Sequence, residues 1–466
     1  MTEPLPPIKD AKASGGVARR RRASPFNRFL KILGPGLITG AADDDPSGIA
    51  TYSQTGAQFG YGQLWIALFT LPLMTAIQEA CARIGLVTGK GIVSVVKEHY
   101  GKGIAYVVVA LVLVANTINL GADIGAMAAA AELIVPFSFV VWTLLFTAVI
   151  LTLEIFTSYR VYASILKWLA LALLSYVITV FIVPEQWTTI LKATFIPHVE
   201  FDFAFLFLIT GVVGTTISPY MFFWEANEEV EEERERHLLR DGQRPKIGRR
   251  DIWNMRIDNF VGMFSSNTVS WCIIVTTATV LYGNGVHNIA TSADAAKALE
   301  PLVHTFSNAG YVAKVLFSVG VIGLGLLAVP VLSGSASYAV AEAVNWQASL
   351  SYRLKRAHGF YGVITIATLL GLLINFVGID PIKALIVTAV VNGVVAVPLI
   401  GLIARIAANP TIMGEFKSGW LSTALVWVTF LAMGAAAIGM FATYFYRKAP
   451  LIGVPAPTMM STMSTP

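Results

Sequence analysis

Residues 40–50 read GAADDDPSGIA, in which Asp43, Asp44 and Asp45 are consecutive and Pro46 follows. They interrupt an apolar stretch that begins near Phe29 and resumes at Ile49. One aspartate at the centre of a membrane-spanning helix costs about 2.5–3.5 kcal/mol to insert, so three facing lipid would cost on the order of 7–10 kcal/mol. The carboxylates therefore have to face protein, water or an ion. Pro46 lacks an N–H and clashes with the preceding turn, and Ser47 and Gly48 loosen the backbone further, so a break in the helix is expected here. Unwound backbone at membrane depth is tolerated only where it lines a cavity. Successive helical residues point about 100° apart, so the three carboxylates converge on one point only where the backbone unwinds. A buried salt bridge is the alternative, but few Lys or Arg lie within the apolar segments to supply one.

The rest of the chain has the composition of a membrane protein, with 55% of 466 residues hydrophobic and 13% charged, against about 25% charged in an average soluble domain. No short apolar core followed by a small-residue cleavage site precedes the first long segment, so that segment is expected to act as its own insertion signal. Eleven candidate spans lie near 30–57, 62–86, 104–134, 138–157, 161–183, 203–226, 258–283, 311–343, 359–377, 382–405 and 418–446. This predicts an all-α polytopic membrane protein. A polar basic N-terminal segment (1–29) is expected to be cytoplasmic, and a tail (447–466) is expected to be disordered. With Arg19–Arg22 inside, the inside loops hold Lys90, Lys97, Lys102, Arg160, Arg249, Arg250, Arg353, Lys355 and Arg356, and the outside loops are poorer in Lys and Arg. The net charge of +5 thus reads as orientation in the bilayer, and no basic face with interleaved aromatics suggests nucleic acid. Eleven spans place the C-terminus outside. Cys81 and Cys272 sit in separate apolar segments and suggest neither a disulfide framework nor a thiolate metal site.

A second interrupted span supports an ion-site reading. In LITGVVGTTISPYMFFWEA, residues 208–226, Pro219 follows Thr215, Thr216 and Ser218 in an otherwise apolar helix. Breaks in corresponding spans of two halves are the best sequence pointer to a midplane site between inverted repeats. Around Asp45 every candidate ligand is an oxygen, which suits Mg²⁺, Mn²⁺ and Ca²⁺ over softer metals. Mg²⁺ sheds water reluctantly and is usually held by one or two carboxylates. Small residues such as Gly48 and Ser218 leave room for those waters, so Mg²⁺ ranks first and Mn²⁺ second. For Ser218 the alternative is a hydroxyl bonded to its own helix backbone.

The stretch Gly34-Pro35 leading to Asp45-Pro46-Ser47-Gly48, the Ser218-Pro219-Tyr220 break, and QEACARIGLVTGKG at 78–91 together resemble the NRAMP-type divalent-metal transporters, over most of the chain. The resemblance implies a LeuT-like core of two inverted five-helix repeats (about 30–183 and 203–405) with broken helices 1 and 6, plus an extra helix at 418–446. It also places Gly48 where the family has a ligand asparagine and Ser218 where it has a ligand methionine, a pattern similar to the NRAMP-related magnesium and manganese branch. The implied metal-site residues are Asp45, Asp44, Gly48, Thr215 and Ser218. Asp43, Asp123, Tyr220, Glu225 and Asn392 are secondary pathway candidates. Family members that cotransport protons resemble one another in an acidic pair on span three and two histidines after the span-six break. Here the matching positions are Asp123 with Ala126, and Tyr220 with Glu225, so tight proton coupling is not expected.

Weaker signals point the same way. Asp123 lies in GADIG, a motif suited to close helix packing, and either lines the pathway or pairs with a hydroxyl. Asn392 either gives an amide oxygen to the ion or serves as polar glue. All six histidines fall outside the predicted spans, and GLVTGKG lacks the spacing of a phosphate loop, so neither an imidazole metal site nor ATP-driven transport is supported. EANEEVEEERERHLLRDGQRP is expected to extend span six as a solvated, salt-bridged helix, with an acidic mouth as the sharper reading. The function these readings predict is secondary transport of a divalent cation as substrate, with no cofactor and no enzymatic activity, at a bacterial inner membrane. The alternatives are a proton-coupled Mn²⁺/Fe²⁺ symporter and, from another class, a sodium-coupled amino-acid transporter of the same fold.

Overall fold

The computed structural model describes residues 35–157, 173–183, 186–236, 238–239, 244–306, 308–350, 352 and 354–447. The expectations for the N-terminal segment, Arg160, Arg353, the start of the fifth span and the tail beyond Arg447 concern residues outside this set. All regular structure among the described residues is helical.

The first span is two helices, α1 (Pro35–Asp43) and α2 (Pro46–Phe59), separated by Asp44 and Asp45. Then come α3 (Trp65–Thr88), a short α4 (Ile92–His99), α5 (Lys102–Glu132) and α6 (Phe139–Phe156). The described part of the fifth span is α7 (Leu174–Ile182), and α8 (Trp187–Phe195) follows it. The sixth span is again split, into α9 (Phe203–Thr216) and α10 (Pro219–Glu235). The remaining long helices are α11 (Arg249–Val280), α12 (Ala309–Val344), α13 (His358–Ile374), α14 (Pro381–Ala408) and α15 (Trp420–Arg447). Eight of these segments are long and apolar enough to cross a membrane, the split sixth span counted as one. The others expected to cross are the broken first span, the part-described fifth and the 17-residue α13.

Burial explains the arrangement. The outer helices α6 and α15 carry exposed Val141, Leu144, Leu145, Leu421, Leu431 and Ile438, an apolar rim suited to lipid. The broken helices lie inside it: α11 runs along both α1 and α2, α9 lies against α14, and α5 lies against α12, α13 and α14. Small residues permit these approaches. A Cβ at Gly121 would sit 2.5 Å from the carbonyl oxygen of Gly371, and one at Gly214 would sit 2.2 Å from that of Ala389. GADIG therefore marks close helix contact.

Three expectations need correction. The charged stretch after span six does continue as helix, with Arg236 paired to Glu232 at 2.5 Å on its exposed side. The turns before that end are not solvated: Glu229, Glu231 and Glu233 are buried, because α10 is packed among α3, α4 and α12 there. Charge alternation along the sequence hid this, since the acidic residues at 225, 229 and 233 share one side of the helix. The seventh span begins at Arg249, nine residues before the expected bound, as Asp251 accepts the Gly248 N–H at 2.8 Å and caps the start. NPTIMGEF (409–416), whose Asn-Pro start and Gly read in the sequence as a short loop, forms a helical turn (Pro410–Met413) capped by Asn409, whose side chain accepts the Thr411 N–H at 2.9 Å.

The tightest constraint on α1 is its approach to α11, where a Cβ at Gly40 would lie 2.4 Å from the Gly262 oxygen, with backbone on both sides unable to yield. Gly40→Ala should lower stability by about 1–3 kcal/mol through overpacking, read as a fall in thermal unfolding temperature of the detergent-purified protein. An unchanged transition would show that α1 has room to shift.

Candidate metal site

Asp45 makes the first break. Its backbone is extended (φ −64°, ψ 170°), and Pro46 occupies the first helical position of α2, where a missing N–H costs nothing. The side chain caps the helix it precedes: Oδ1 accepts the Gly48 N–H at 2.8 Å and the Ser47 hydroxyl at 2.6 Å. Oδ2 accepts the Asn119 amide from α5 at 3.1 Å and the Tyr220 hydroxyl from α10 at 3.4 Å. The same Tyr220 hydroxyl donates to the Ala42 carbonyl at 3.1 Å, one of those left free where α1 ends. Ser47 in turn lies 3.1 Å from the Thr215 hydroxyl. A Cβ built on Gly48 would stand 3.2 Å from Tyr52 Cε2 and at ordinary contact distance, 3.5 Å, from Thr215 Oγ1 and the Asp43 carbonyl oxygen, so Gly48 borders this junction.

The second break restarts at Pro219 by the same extended residue before proline, Ser218 (φ −80°, ψ 138°), but its side chain acts differently. Ser218 Oγ donates to the carbonyls of Gly214 at 2.9 Å and Thr215 at 2.6 Å, closing the end of α9 instead of capping α10. This is the backbone-bonded alternative weighed from the sequence.

Asp43 and Asp44 point to α11. The Ser266 hydroxyl lies 2.5 Å from Asp43 Oδ2 and 3.2 Å from Asp44 Oδ1, and Asp43 Oδ1 has no partner. All three carboxylates are buried, with Asp43 0%, Asp44 3% and Asp45 1% exposed, and among the described residues no basic side chain forms an ion pair with any of them. Asp123, one turn beyond Asn119 on α5, is wholly buried with both oxygens unpartnered, and the Asp45 charge acts on it.

The structure thus gathers Asp45, Gly48, Thr215 and Tyr220 at one junction, with Asp43, Asp44 and Asp123 around it. Of the other predicted residues, Ser218 gives its hydroxyl to the α9 backbone and two stand elsewhere. Glu225 is buried farther along α10, where it accepts the Thr39 hydroxyl of α1, and Asp258 of α11 is a charged neighbour. Asn392 is buried on α14 with neither amide atom partnered. Among the described residues, no group of three or more His, Cys, Asp or Glu side chains is arranged to hold a metal by itself, so a cation here would be shared with hydroxyls, amides and carbonyls. Sequence reasoning missed Ser47, Asn119 and Ser266. Asn119 had a signal: Asn116, Asn119 and Asp123 fall at i, i+3 and i+7, a polar stripe along one face of an apolar span.

Residues 36–443 match the family model described as natural resistance-associated macrophage protein-like (Nramp). The chain is 25% identical over 411 residues to the divalent metal cation transporter MntH of Caldanaerobacter subterraneus subsp. tengcongensis, covering 86% of this chain and 91% of that one. It is 25% identical over 425 residues to MntH of Bacillus subtilis, covering 89% and 92%. Among solved structures it is similar to an Eremococcus coleocola manganese transporter bound to an aromatic bis-isothiourea substituted compound, with TM-score 0.70, 16% identity, and 92% and 90% of the two chains covered. It is also similar to MhsT in complex with L-phenylalanine, with TM-score 0.59, 11% identity, and 88% and 97% covered. At these identities the structural likeness is one of fold: the LeuT-like architecture of inverted five-helix repeats with breaks in the first and sixth spans.

The Ser266 hydroxyl is the one donor between two buried carboxylates, so Ser266→Ala should cost about 1–3 kcal/mol of stability. The loss should shrink in an Asp43→Asn background, where the carboxylate that needs the donor is gone. Equal losses in both backgrounds, measured by thermal unfolding, would show that the hydroxyl does not serve Asp43.

Proposed function

The chain belongs to the Nramp family, and on that premise we propose that it is a secondary transporter moving a divalent metal cation, Mg²⁺ first and Mn²⁺ second, down its own electrochemical gradient. The observation that carries this reading is the set of three buried carboxylates supplied only with neutral donors. Uncompensated buried charge is costly, and an arriving cation is the partner that removes the cost. The donor atoms are all oxygens, which favours a hard cation. Mn²⁺ gains weight from the relatives, since the manganese transporter of Eremococcus coleocola has the same fold.

Asp45 is the ligand on which the site depends, with Asp44 the second carboxylate and Gly48, Thr215 and Ser218 bordering the space. An amide at 45 keeps an acceptor for both helix-capping bonds, which fall on Oδ1, and loses the charge together with the second acceptor that Asn119 and Tyr220 use. Asp45→Asn should bring uptake of Mg²⁺ and Mn²⁺ into proteoliposomes to the level of protein-free liposomes, while Asp44→Asn weakens it. Wild-type flux in Asp45→Asn at normal folding would remove Asp45 from the site.

Energy comes from the ion gradient and the membrane potential, which contributes about 4.6 kcal/mol per 100 mV for a divalent ion. We assign the N-terminus to the cytoplasm and the C-terminus to the outside, an orientation that the distribution of Lys and Arg supports, in a bacterial inner membrane. A proton-coupled Mn²⁺ or Fe²⁺ symporter is the second reading, favoured by Asp123, whose two oxygens are unpartnered beside Asp45. A sodium-coupled amino-acid transporter shares the fold, but the acidic cluster would repel a substrate carboxylate. Proteoliposomes loaded with a pH dye and given an inward Mn²⁺ or Mg²⁺ gradient, potential clamped negative inside, decide between the first two. No acidification is expected. Acidification that follows the cation dose and vanishes in Asp123→Asn would establish coupling.

A further inference from the structure

The residue that most closely attends Asp45 from another span is Asn119, and only half of its side chain is used. Its amide nitrogen donates to Asp45 Oδ2 at 3.1 Å. Its amide oxygen is fully buried and has no partner. The orientation is dictated by the acceptor, since a carboxylate oxygen can only be met by the N–H side of an amide. A planar amide that places its nitrogen on Asp45 Oδ2 places its oxygen in the same neighbourhood, on a helix face continuous with Asp123. Buried amide oxygens are ordinarily satisfied, and one left open beside an unpaired carboxylate is the donor set of a hard cation.

We propose that Asn119 is itself a ligand that helps determine which cations are accepted: its amide oxygen joins Asp45 on the ion while its N–H aims the carboxylate. The proposal rests on the reading that the protein binds a divalent cation at Asp45. The ligand contributed is neutral and hard. It adds an oxygen without adding charge, so it favours Mg²⁺ and Mn²⁺ over softer ions and leaves the net charge of the site unchanged. A purely positioning role would use the N–H alone and would leave ion preference to other groups.

Substitutions at 119 separate these roles in the full-length protein, with Mn²⁺, Mg²⁺ and Cd²⁺ binding measured by calorimetry in detergent and thermal unfolding followed in parallel. Asn119→Cys puts a soft donor where the oxygen stands and should raise the Cd²⁺ to Mg²⁺ affinity ratio at least tenfold. Asn119→Asp keeps an oxygen but loses the N–H, and it should retain Mn²⁺ binding within about threefold or tighten it. Asn119→Leu removes both and should weaken Mn²⁺ binding at least tenfold. An unchanged Cd²⁺ to Mg²⁺ ratio in Asn119→Cys overturns the proposal. So does loss of Mn²⁺ binding in a folded Asn119→Asp, which would leave only the aiming role. Should the cysteine variant fail to fold, the aspartate variant decides alone. Wild-type protein that binds none of the three ions would instead defeat the underlying cation-site reading.

Discussion

The structure depends on a carboxylate that caps a helix in the middle of the protein. Asp45 accepts the Gly48 N–H and the Ser47 hydroxyl, and the Gly48 bond satisfies one of the free N–H groups with which α2 begins at membrane depth. The same group receives Asn119 from the third span and Tyr220 from the sixth, and Ser47 extends the network to Thr215. One side chain therefore sets where the first span breaks and ties that break to two others. The positive end of the α2 dipole favours its charge, but a dipole and neutral hydrogen bonds do not cancel a full charge in a low-dielectric interior.

Elsewhere the fold does cancel such charges. Glu79 on α3 is paired with Arg83 one turn on and with Arg256 of α11 at 2.9 Å, and Ser422 of α15 donates to its other oxygen at 2.8 Å. That carboxylate has the partners a permanent structural group requires. Asp43, Asp44 and Asp45 have hydroxyls and amides instead, so two classes of buried acid coexist in one protein. The contrast supports the proposed cation site: a divalent cation would compensate charge that the chain itself leaves unpaired.

Much of this was legible beforehand because the signals were local. Asp-Pro-Ser-Gly within an apolar segment specifies a cap, a restart and a close approach by residue type alone, and Ser218-Pro219 specifies the second break. What the Ser218 side chain does was not legible, since a serine before proline can cap the next helix or close the previous one, and the choice depends on how α9 and α10 are offset. The buried acidic face of α10 was equally hidden, because a run of Glu and Arg reads as solvated until the packing of α3, α4 and α12 is known. Ser266 was unreadable for a third reason, since it matters only through Asp43 and Asp44, 223 and 222 residues away, whereas Asn119 left the polar stripe on α5 as its one signal.

The inner half of the first span is fastened by two hydrogen bonds of similar kind. The Thr39 hydroxyl donates to Glu225 on α10, and the Gly36 N–H donates to Asp258 on α11 at 2.8 Å. In both, the acceptor is a carboxylate and the donor is neutral. These two bonds hold α1 to α10 and α11 independently of the Asp45 cap at the break. The contact between Gly40 and Gly262 in turn sets how near α1 can lie to α11, so the position of α1 is fixed by backbone shape as well as by these bonds.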